Sequence, residues 1–183
     1  IGVHTIEWAR HMHGWGQVHA FEAQERIYCA LAGNIAINNC SNARATWAAV
    51  GAKPGFLNVP KVDYDKPASY GSLELRQSAK NEDIGQTISY DKSDTYEVPM
   101  ITLDSVKLSQ VDFIKIDVEG MEIDVLRGAA KLLKKDCPMM LMEHIKTDKK
   151  ALIDMLTSFG YRHYILGINI LAVHESDKIE ITL

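Results

Sequence analysis

The stretch that decides the fold is residues 111–129, VDFIKIDVEGMEIDVLRGA. Its first seven residues form a short run rich in β-branched and aromatic side chains, which is typical of a buried strand. Gly120 lets the backbone turn tightly just after Asp117 and Glu119, because glycine tolerates conformations that other residues avoid. Apolar residues then recur at helical spacing as far as Lys135. The stretch therefore predicts a strand, a tight acidic turn and a helix.

The rest of the chain predicts further strands and helices in alternation. Strands are expected at 17–21, 46–50 and 139–145, helices at 3–12, 23–39 and 149–159, and the arms of a closing hairpin at 161–166 and 170–173. Strand, helix and strand in this order favour right-handed crossovers in a parallel sheet. We therefore expect an α/β fold with a mostly parallel sheet and an antiparallel C-terminal hairpin.

The length of the chain, 183 residues, predicts a single domain over residues 1–183. Residues 51–99 differ from the rest, because they contain four of the five prolines and several polar runs. We interpret them as a loop-rich insertion with short strands at 72–75 and 95–98. A segment of this length without much regular structure is usually functional or mobile.

Composition limits the classes of partner. The net charge is −4, and Lys and Arg are spread along the chain, which argues against a nucleic-acid partner held by phosphate neutralisation. No apolar run approaches 18 residues, so no membrane segment is expected. Three cysteines without CxxC spacing favour reduced thiols and a cytoplasmic protein. Because helix-like sequence begins almost at once after Ile1, which is not Met, we expect that the beginning of the chain is missing.

Acidic residues stand at the ends of three predicted strands: Glu22, Asp117 and Glu143, with Glu119 just beyond. In open α/β sheets ligands bind at the carboxyl ends of the strands, and a carboxylate after the second strand can accept hydrogen bonds from both ribose hydroxyls. Simpler roles stay open. Glu22 could be a solvated strand end or a helix N-terminal charge, and Asp117 could cap the helix that follows it.

His144 is the histidine best placed for chemistry, since it follows Glu143 at a predicted strand end. It could be a general base or a ligand, although a structural hydrogen bond is the favoured interpretation. Together with Asp117, Glu119 and Glu143 it could also form a site for a hard metal ion. That alternative is the weaker one, and we expect no metal.

Residues 111–129 resemble, nearly residue for residue, the signature of the FkbM-type S-adenosylmethionine-dependent methyltransferases. IGVHT at 1–5 and VHAFEA at 18–23 resemble the same family's first glycine loop and second strand, and ASYGSL at 68–73 resembles its Gly-x-Ser loop. The resemblance implies a Rossmann-like methyltransferase fold. It also implies that the family's first strand and part of its glycine loop precede Ile1, with Gly2 in the place of the loop's last glycine.

The function implied by the resemblance is methyl transfer from S-adenosyl-L-methionine to oxygen, on a hydroxyl of a sugar or natural product. The acceptor would be a small molecule or a glycan. The implied cofactor-binding residues are Gly2, His4, Glu22, Ala23 and Asp117, and the candidate bases are Asp117, Glu119 and His144. Two alternatives stay open: a non-catalytic binding or scaffold domain that has lost the cofactor, and a nicotinamide-dependent oxidoreductase, which residues 117–120 disfavour.

Overall fold

The structure is a computed structural model that describes residues 1–78, 81–179 and 181. Within them, the helices are α1 Val3–His11, α2 Glu25–Ile37, α3 Glu122–Gly128, α4 Ala130–Asp136 and α5 Lys149–Ser158. The strands are β1 Val18–Glu22, β2 Ala43–Trp47, β3 Ala49–Val50, β4 Gly55–Pro60, β5 Thr95–Ile101, β6 Phe113–Ile116, β7 Met139–Glu143, β8 Tyr161–Leu166 and β9 Asn169–His174. No helix in this described part is long and apolar enough to cross a membrane.

The chain divides into two compact units. The first comprises Ile1–Ala49, Gly55–Lys61 and Ser89–Met100, and the second comprises Val50–Pro54, Val62–Ile88 and Ile101–Leu183. That the whole chain is one methyltransferase domain with an insertion at 51–99 stays a prediction. Residues 79 and 80 of that insertion lie outside the described residues, as do 180, 182 and 183 at the end of the chain.

The first unit is built around the parallel pair β1 and β2, in which Val18 is opposite Ala43 and Glu22 is opposite Trp47. A small apolar core lies beside this pair and takes residues from α1, α2, β1, β2 and the segment between α2 and β2. It is made of Ala9, Val18, Cys40 and Ala43 with Ile6, Trp8, Met12 and Ile35 packed against it. A second sheet has the strand order β3-β5-β4, and its β4 and β5 pair in antiparallel fashion. The register of β1 against β2 places Glu22 at the carboxyl end of the pair.

The second unit contains a four-stranded sheet with the order β6-β7-β9-β8. The strands β6 and β7 are parallel, whereas β7 with β9 and β8 with β9 are antiparallel. Met140 and Met142 on the inner strand β7 are fully buried, as are Leu126, Leu152 and Leu156 on the helices. The methionines of this strand therefore serve the core, as their run in one strand suggests.

Most elements lie where the sequence predicts them, including α1, β1, α2, β7, α5 and both arms of the C-terminal hairpin. Three details differ from the prediction. The single strand expected at 46–50 is divided into β2, which begins at Ala43 and ends at Trp47, and β3 at Ala49–Val50. Residues 72–75 do not form a strand, since Ser72 ends the short 3₁₀ turn Tyr70–Ser72, and β4 was not predicted. In β2, whose sequence is ARATW, more buried residues alternate with exposed ones. This alternation is a weaker strand signal than the continuous apolar run at 46–50 on which the prediction was based.

The helix expected to run through Lys135 is divided at Ala129 into α3 and α4. The cause is distant in sequence, because the Asp104 carboxylate accepts hydrogen bonds from the backbone N–H groups of Lys131 (3.0 Å) and Leu132 (2.9 Å). A carboxylate at this position satisfies N–H groups that a new helix leaves unpaired in its first turn. Asp104 therefore starts α4 as a separate helix.

The α/β class and the antiparallel C-terminal hairpin are confirmed, but a mostly parallel sheet is not. The described strands form three sheets: β1 and β2 pair in parallel, β4 and β5 pair in antiparallel fashion, and the four-stranded sheet is mixed, with β6 and β7 as its parallel pair. Only residues 167 and 168 join β8 to β9, and so short a connection permits antiparallel pairing only, whereas β7 reaches β8 through α5. The first strand expected before Ile1 stays a prediction.

Gly128 provides a test of packing in the second unit. A Cβ added there would lie 2.0 Å from the backbone carbonyl oxygen of Gly51, which cannot move aside as a flexible side chain can. We expect Gly128→Ala to destabilise the protein by about 1–3 kcal/mol or more, the usual cost of overpacking. The measurement is the free energy of unfolding in urea.

The matched control for Gly128 is Gly33→Ala, because Gly33 lies inside α2 and a Cβ there would meet nothing within 4 Å. Alanine favours a helix over glycine by up to about 1 kcal/mol, so this variant should be as stable as the parent or more so. Equal effects of the two substitutions would show that the close approach at Gly51 is absent in solution.

Candidate functional site

The acidic turn after β6 is held by the side chain of Glu122. Its Oε1 accepts hydrogen bonds from the backbone N–H groups of Gly120 (3.2 Å) and Val118 (3.4 Å). Glu119 and Gly120 both have positive φ angles, 53° and 94°, so the turn passes twice through the left-handed region. A Cβ on Gly120 would lie 3.1 Å from the carbonyl oxygen of Lys146, which makes glycine the residue that fits there.

Asp117 stands at the carboxyl end of β6 and forms an ion pair with Lys115 on the same strand. It does not cap the following helix, because α3 begins after Met121 and has no side-chain cap. The cap interpretation of Asp117 was therefore wrong. Its carboxylate is 43% exposed, so a reactant could reach it.

Glu119 is the more enclosed of the two candidate bases, with a side chain only 16% exposed. Its Oε2 lies 2.7 Å from the ammonium of Lys146. Burial raises the pKa of Glu119, the hydrogen-bonded Lys146 lowers it, and the charges of Asp117 and Glu143 raise it further, with a net upward shift. A carboxylate with a raised pKa is a better proton acceptor at neutral pH than an ordinary one.

His144 makes the structural hydrogen bond that its sequence position favours. Its Nε2 lies 3.2 Å from the carbonyl oxygen of Gly167, and its backbone N–H donates to the carbonyl of Ile168 (3.0 Å). Both partners belong to the turn between β8 and β9, so His144 ties β7 to the C-terminal hairpin. A catalytic role for His144 stays a prediction.

A hard-metal site at Asp117, Glu119, Glu143 and His144 was the weaker alternative, and the absence of a metal there stays a prediction. Across residues 1–78, 81–179 and 181, no group of three or more His, Cys, Asp or Glu residues is arranged to hold a metal ion. The physical reason lies in their partners: Lys115 is paired with Asp117, Lys146 with Glu119, and His144 is turned to a carbonyl.

Glu22, the carboxylate predicted to bind a ribose, lies in the first unit at the end of β1. Glu22 accepts a hydrogen bond from the backbone N–H of Gln24 through Oε1 (2.8 Å), and the carbonyl of Ala23 accepts one from the indole N–H of Trp47 (3.0 Å). Burial raises the pKa of Glu22, against hydrogen bonds from the backbone of Gln24 and Ala23 that lower it. The turn therefore holds a carboxylate in a fixed orientation at a strand end.

Gly2 and His4 lie at the start of α1 in the same unit. Gly2 has a φ of 78°, and a Cβ there would lie 2.7 Å from Leu31 Cδ1 on α2, so glycine permits the close approach of α1 and α2. The ring of His4 stacks on Trp8 with 5.5 Å between centroids. Contact of either residue with a cofactor stays a prediction.

The family of the chain follows from its match to a family model, Methyltransferase FkbM domain, over residues 1–163. The chain belongs to the FkbM methyltransferase family. The acidic turn and the strand-end carboxylate described above both lie inside the matched residues. This confirms the resemblance seen in residues 111–129.

The fold of the FkbM domain has a counterpart among solved structures. The crystal structure of Methyltransferase FkbM from Methylobacillus flagellatus KT superposes with a TM-score of 0.53 at 14% identity, covering 87% of this chain. The chain spans 37% of the length of that protein. Among curated proteins, no relative matches the sequence.

The roles of two residues that hold the acidic turn of the FkbM domain escaped the sequence analysis. Lys146 carries the charge that faces Glu119, and Glu122 holds the turn from inside with only 2% of its surface exposed. The spacing of Glu122, two residues after Gly120, is a signal that could have found its role. Lys146 gives no such signal, because it is one of several lysines in a polar stretch and 27 residues away from Glu119 in sequence.

Glu122 should make the stability of the FkbM domain depend on pH. Burial raises its pKa above the ordinary value of 4.5, against the backbone hydrogen bonds that lower it. Its Oε2 is buried and finds no hydrogen-bond partner in the described part of the chain. The folded state therefore binds the proton more readily than the unfolded state does, so the free energy of unfolding falls as pH rises from 4.5 through the raised value.

The variant that isolates this effect is Glu122→Gln, which keeps the Oε1 acceptor and removes the titrating proton. Urea unfolding at a series of pH values should show a shallower fall of stability with pH in the variant than in the parent. Parallel curves for the two proteins would mean that Glu122 titrates alike in the folded and unfolded states.

Proposed function

We propose that this FkbM domain transfers a methyl group from S-adenosyl-L-methionine to a hydroxyl oxygen on a sugar or another small-molecule acceptor. The observation that carries the proposal is the family match over residues 1–163. The two sets of residues described above supply supporting chemistry, a carboxylate at the end of β1 and an acidic turn after β6. S-adenosyl-L-methionine, when bound, supplies an electrophilic methyl group on a sulfonium sulfur.

The residues at the end of β1 fit a ribose. A carboxylate has about four acceptor positions, and the hydrogen bonds from the backbone of Gln24 and Ala23 use only part of them. Glu22 can therefore accept hydrogen bonds from two ribose hydroxyls while the backbone holds its orientation. Gly2 and His4 would contact the same cofactor. A Cβ on Gly2 would lie against the side chain of Leu31.

The residues of the acidic turn fit a proton acceptor. As the acceptor oxygen forms its bond to the methyl carbon, the carbon–sulfur bond of the cofactor would break and leave its electron pair on sulfur. The proton of the acceptor hydroxyl would pass to a carboxylate oxygen of Asp117 or Glu119. The chain otherwise contributes by holding the reactants close and aligned. Proton removal by a positioned base adds typically 10²–10⁴-fold to such a reaction.

The experiment that tests the proposal measures cofactor binding and transfer separately, on the complete natural polypeptide that contains this chain. Isothermal titration with S-adenosyl-L-methionine tests binding. Incubation with the methyl-labelled cofactor and a panel of hydroxyl-bearing sugars tests transfer. Binding together with label on a sugar supports the proposal, whereas the absence of any binding favours the scaffold alternative.

A further inference from the structure

Lys146, which follows β7, carries an almost enclosed ammonium with three acceptors around it. Its side chain is only 12% exposed. The Nζ atom lies 2.6 Å from Glu82 Oε2 and 2.7 Å from Glu119 Oε2, and it donates to the carbonyl oxygen of Ser72 at 3.0 Å. A lysine ammonium has three protons to donate, so these three contacts satisfy it fully.

The three acceptors come from separate segments of the second unit. Glu119 belongs to the acidic turn, whereas Ser72 ends a 3₁₀ turn and Glu82 lies further along the 51–99 insertion. The backbone of Glu82 is itself fixed, because its N–H donates to Glu74 Oε1 at 2.8 Å. One cation therefore joins the insertion to the turn that carries a candidate base.

Two negatively charged neighbours of Glu119 oppose its ionisation, and the Lys146 ammonium offsets them. Asp117 and Glu143 both raise the pKa of Glu119, as does burial, and Lys146 opposes them. Removing Lys146 would leave the largely buried carboxyl of Glu119 facing two other acids, a setting in which the neutral form is favoured. A protonated Glu119 cannot accept a proton from an acceptor hydroxyl.

We propose that Lys146 is a positioning residue, which keeps Glu119 charged and in place and fastens the insertion around Ser72 and Glu82 to the acidic turn. The inference rests on the proposed function, because it assigns the charged Glu119 to proton removal. Two results should follow from it together: the ionisation of Glu119 depends on Lys146, and so does the order of the insertion.

The test compares Lys146→Met with Lys146→Arg, and uses Lys150→Met as the matched control. Lys150 is 87% exposed and pairs with Asp154 one helical turn away, so its loss should change neither readout. The readouts are a ¹³C NMR titration of the Glu119 carboxyl carbon and hydrogen exchange of residues 70–78 and 81–88. Neither needs cofactor or acceptor, so a failure here is distinguishable from a failure of the proposed function.

In Lys146→Met we expect the Glu119 titration to move to higher pH and exchange in the two insertion segments to become about 10- to 150-fold faster, the range for a lost hydrogen bond to a charged group. Lys146→Arg, which keeps the charge, should restore the Glu119 titration toward that of the parent. Faster exchange with an unmoved Glu119 titration would reduce Lys146 to a structural residue and overturn the proposal. Two unchanged readouts would overturn it as well.

A second variant decides the matter if Lys146→Met does not fold. Glu82→Gln leaves Lys146 in place and removes one of the two carboxylates that share it. Exchange in residues 81–88 should become faster, and the Glu119 titration should move to lower pH, because Glu119 no longer shares the ammonium. Unchanged exchange and titration in this variant would overturn the proposal.

Discussion

Replacing the candidate bases is expected to lower the turnover of methyl transfer by about 10²–10⁴-fold, the usual contribution of a general base. The variants are Glu119→Gln and Asp117→Asn, which keep the shape of each side chain and remove its ability to take a proton. Cofactor affinity should stay close to that of the parent if the lost group acts only on the acceptor. Glu119→Gln should in addition lower thermal stability, because it removes a carboxylate that pairs with the nearly enclosed Lys146. Initial rates with a labelled cofactor and a sugar found in the panel provide the measurement.

The matched control is Asp154→Asn, since Asp154 is a carboxylate 65% exposed on α5 that pairs with the neighbouring Lys150. Its turnover should equal that of the parent. If Asp117→Asn loses affinity for the cofactor rather than turnover, Asp117 binds the cofactor and Glu119 is left as the base. Full turnover in both variants would place the base elsewhere, and His144→Gln would then be the variant to measure.

The second large effect concerns the strand-end carboxylate of the first unit. Glu22→Gln is expected to weaken the binding of S-adenosyl-L-methionine by about 1–3 kcal/mol, the range for a lost hydrogen bond to a charged group, which corresponds to roughly 5- to 150-fold. The backbone hydrogen bond from Gln24 to the side-chain oxygen can persist in the variant, so the turn should keep its shape. Isothermal titration measures the affinity.

Glu25→Gln is the control for Glu22, because Glu25 is an exposed acid only three residues later, at the start of α2. Its effect on affinity should be small. The same affinity for Glu22→Gln and the parent would remove Glu22 from the cofactor site. Loss of affinity in both variants would instead indicate a general effect of charge at this end of the unit.

The sequence by itself determined the class of the fold and the family. The run VDFIKID, the glycine after Glu119 and the apolar spacing beyond it predict β6, the acidic turn and a helix, and the structure contains each of them. These features are local, because a strand pattern, a glycine turn and a helix pattern are each written in neighbouring residues. Residues 111–129 also sufficed to indicate the FkbM family, which the match over residues 1–163 confirms.

Only the tertiary structure decided where helices divide and which charges meet. Asp104 separates α3 from α4 from 27 residues away, β4 exists because β5 pairs with it, and Lys146 meets Glu119 and Glu82 across the second unit. The physical reason is the same in each case. A carboxylate, a strand edge or an ammonium can be satisfied by many partners, and the partner it meets depends on how distant segments pack together.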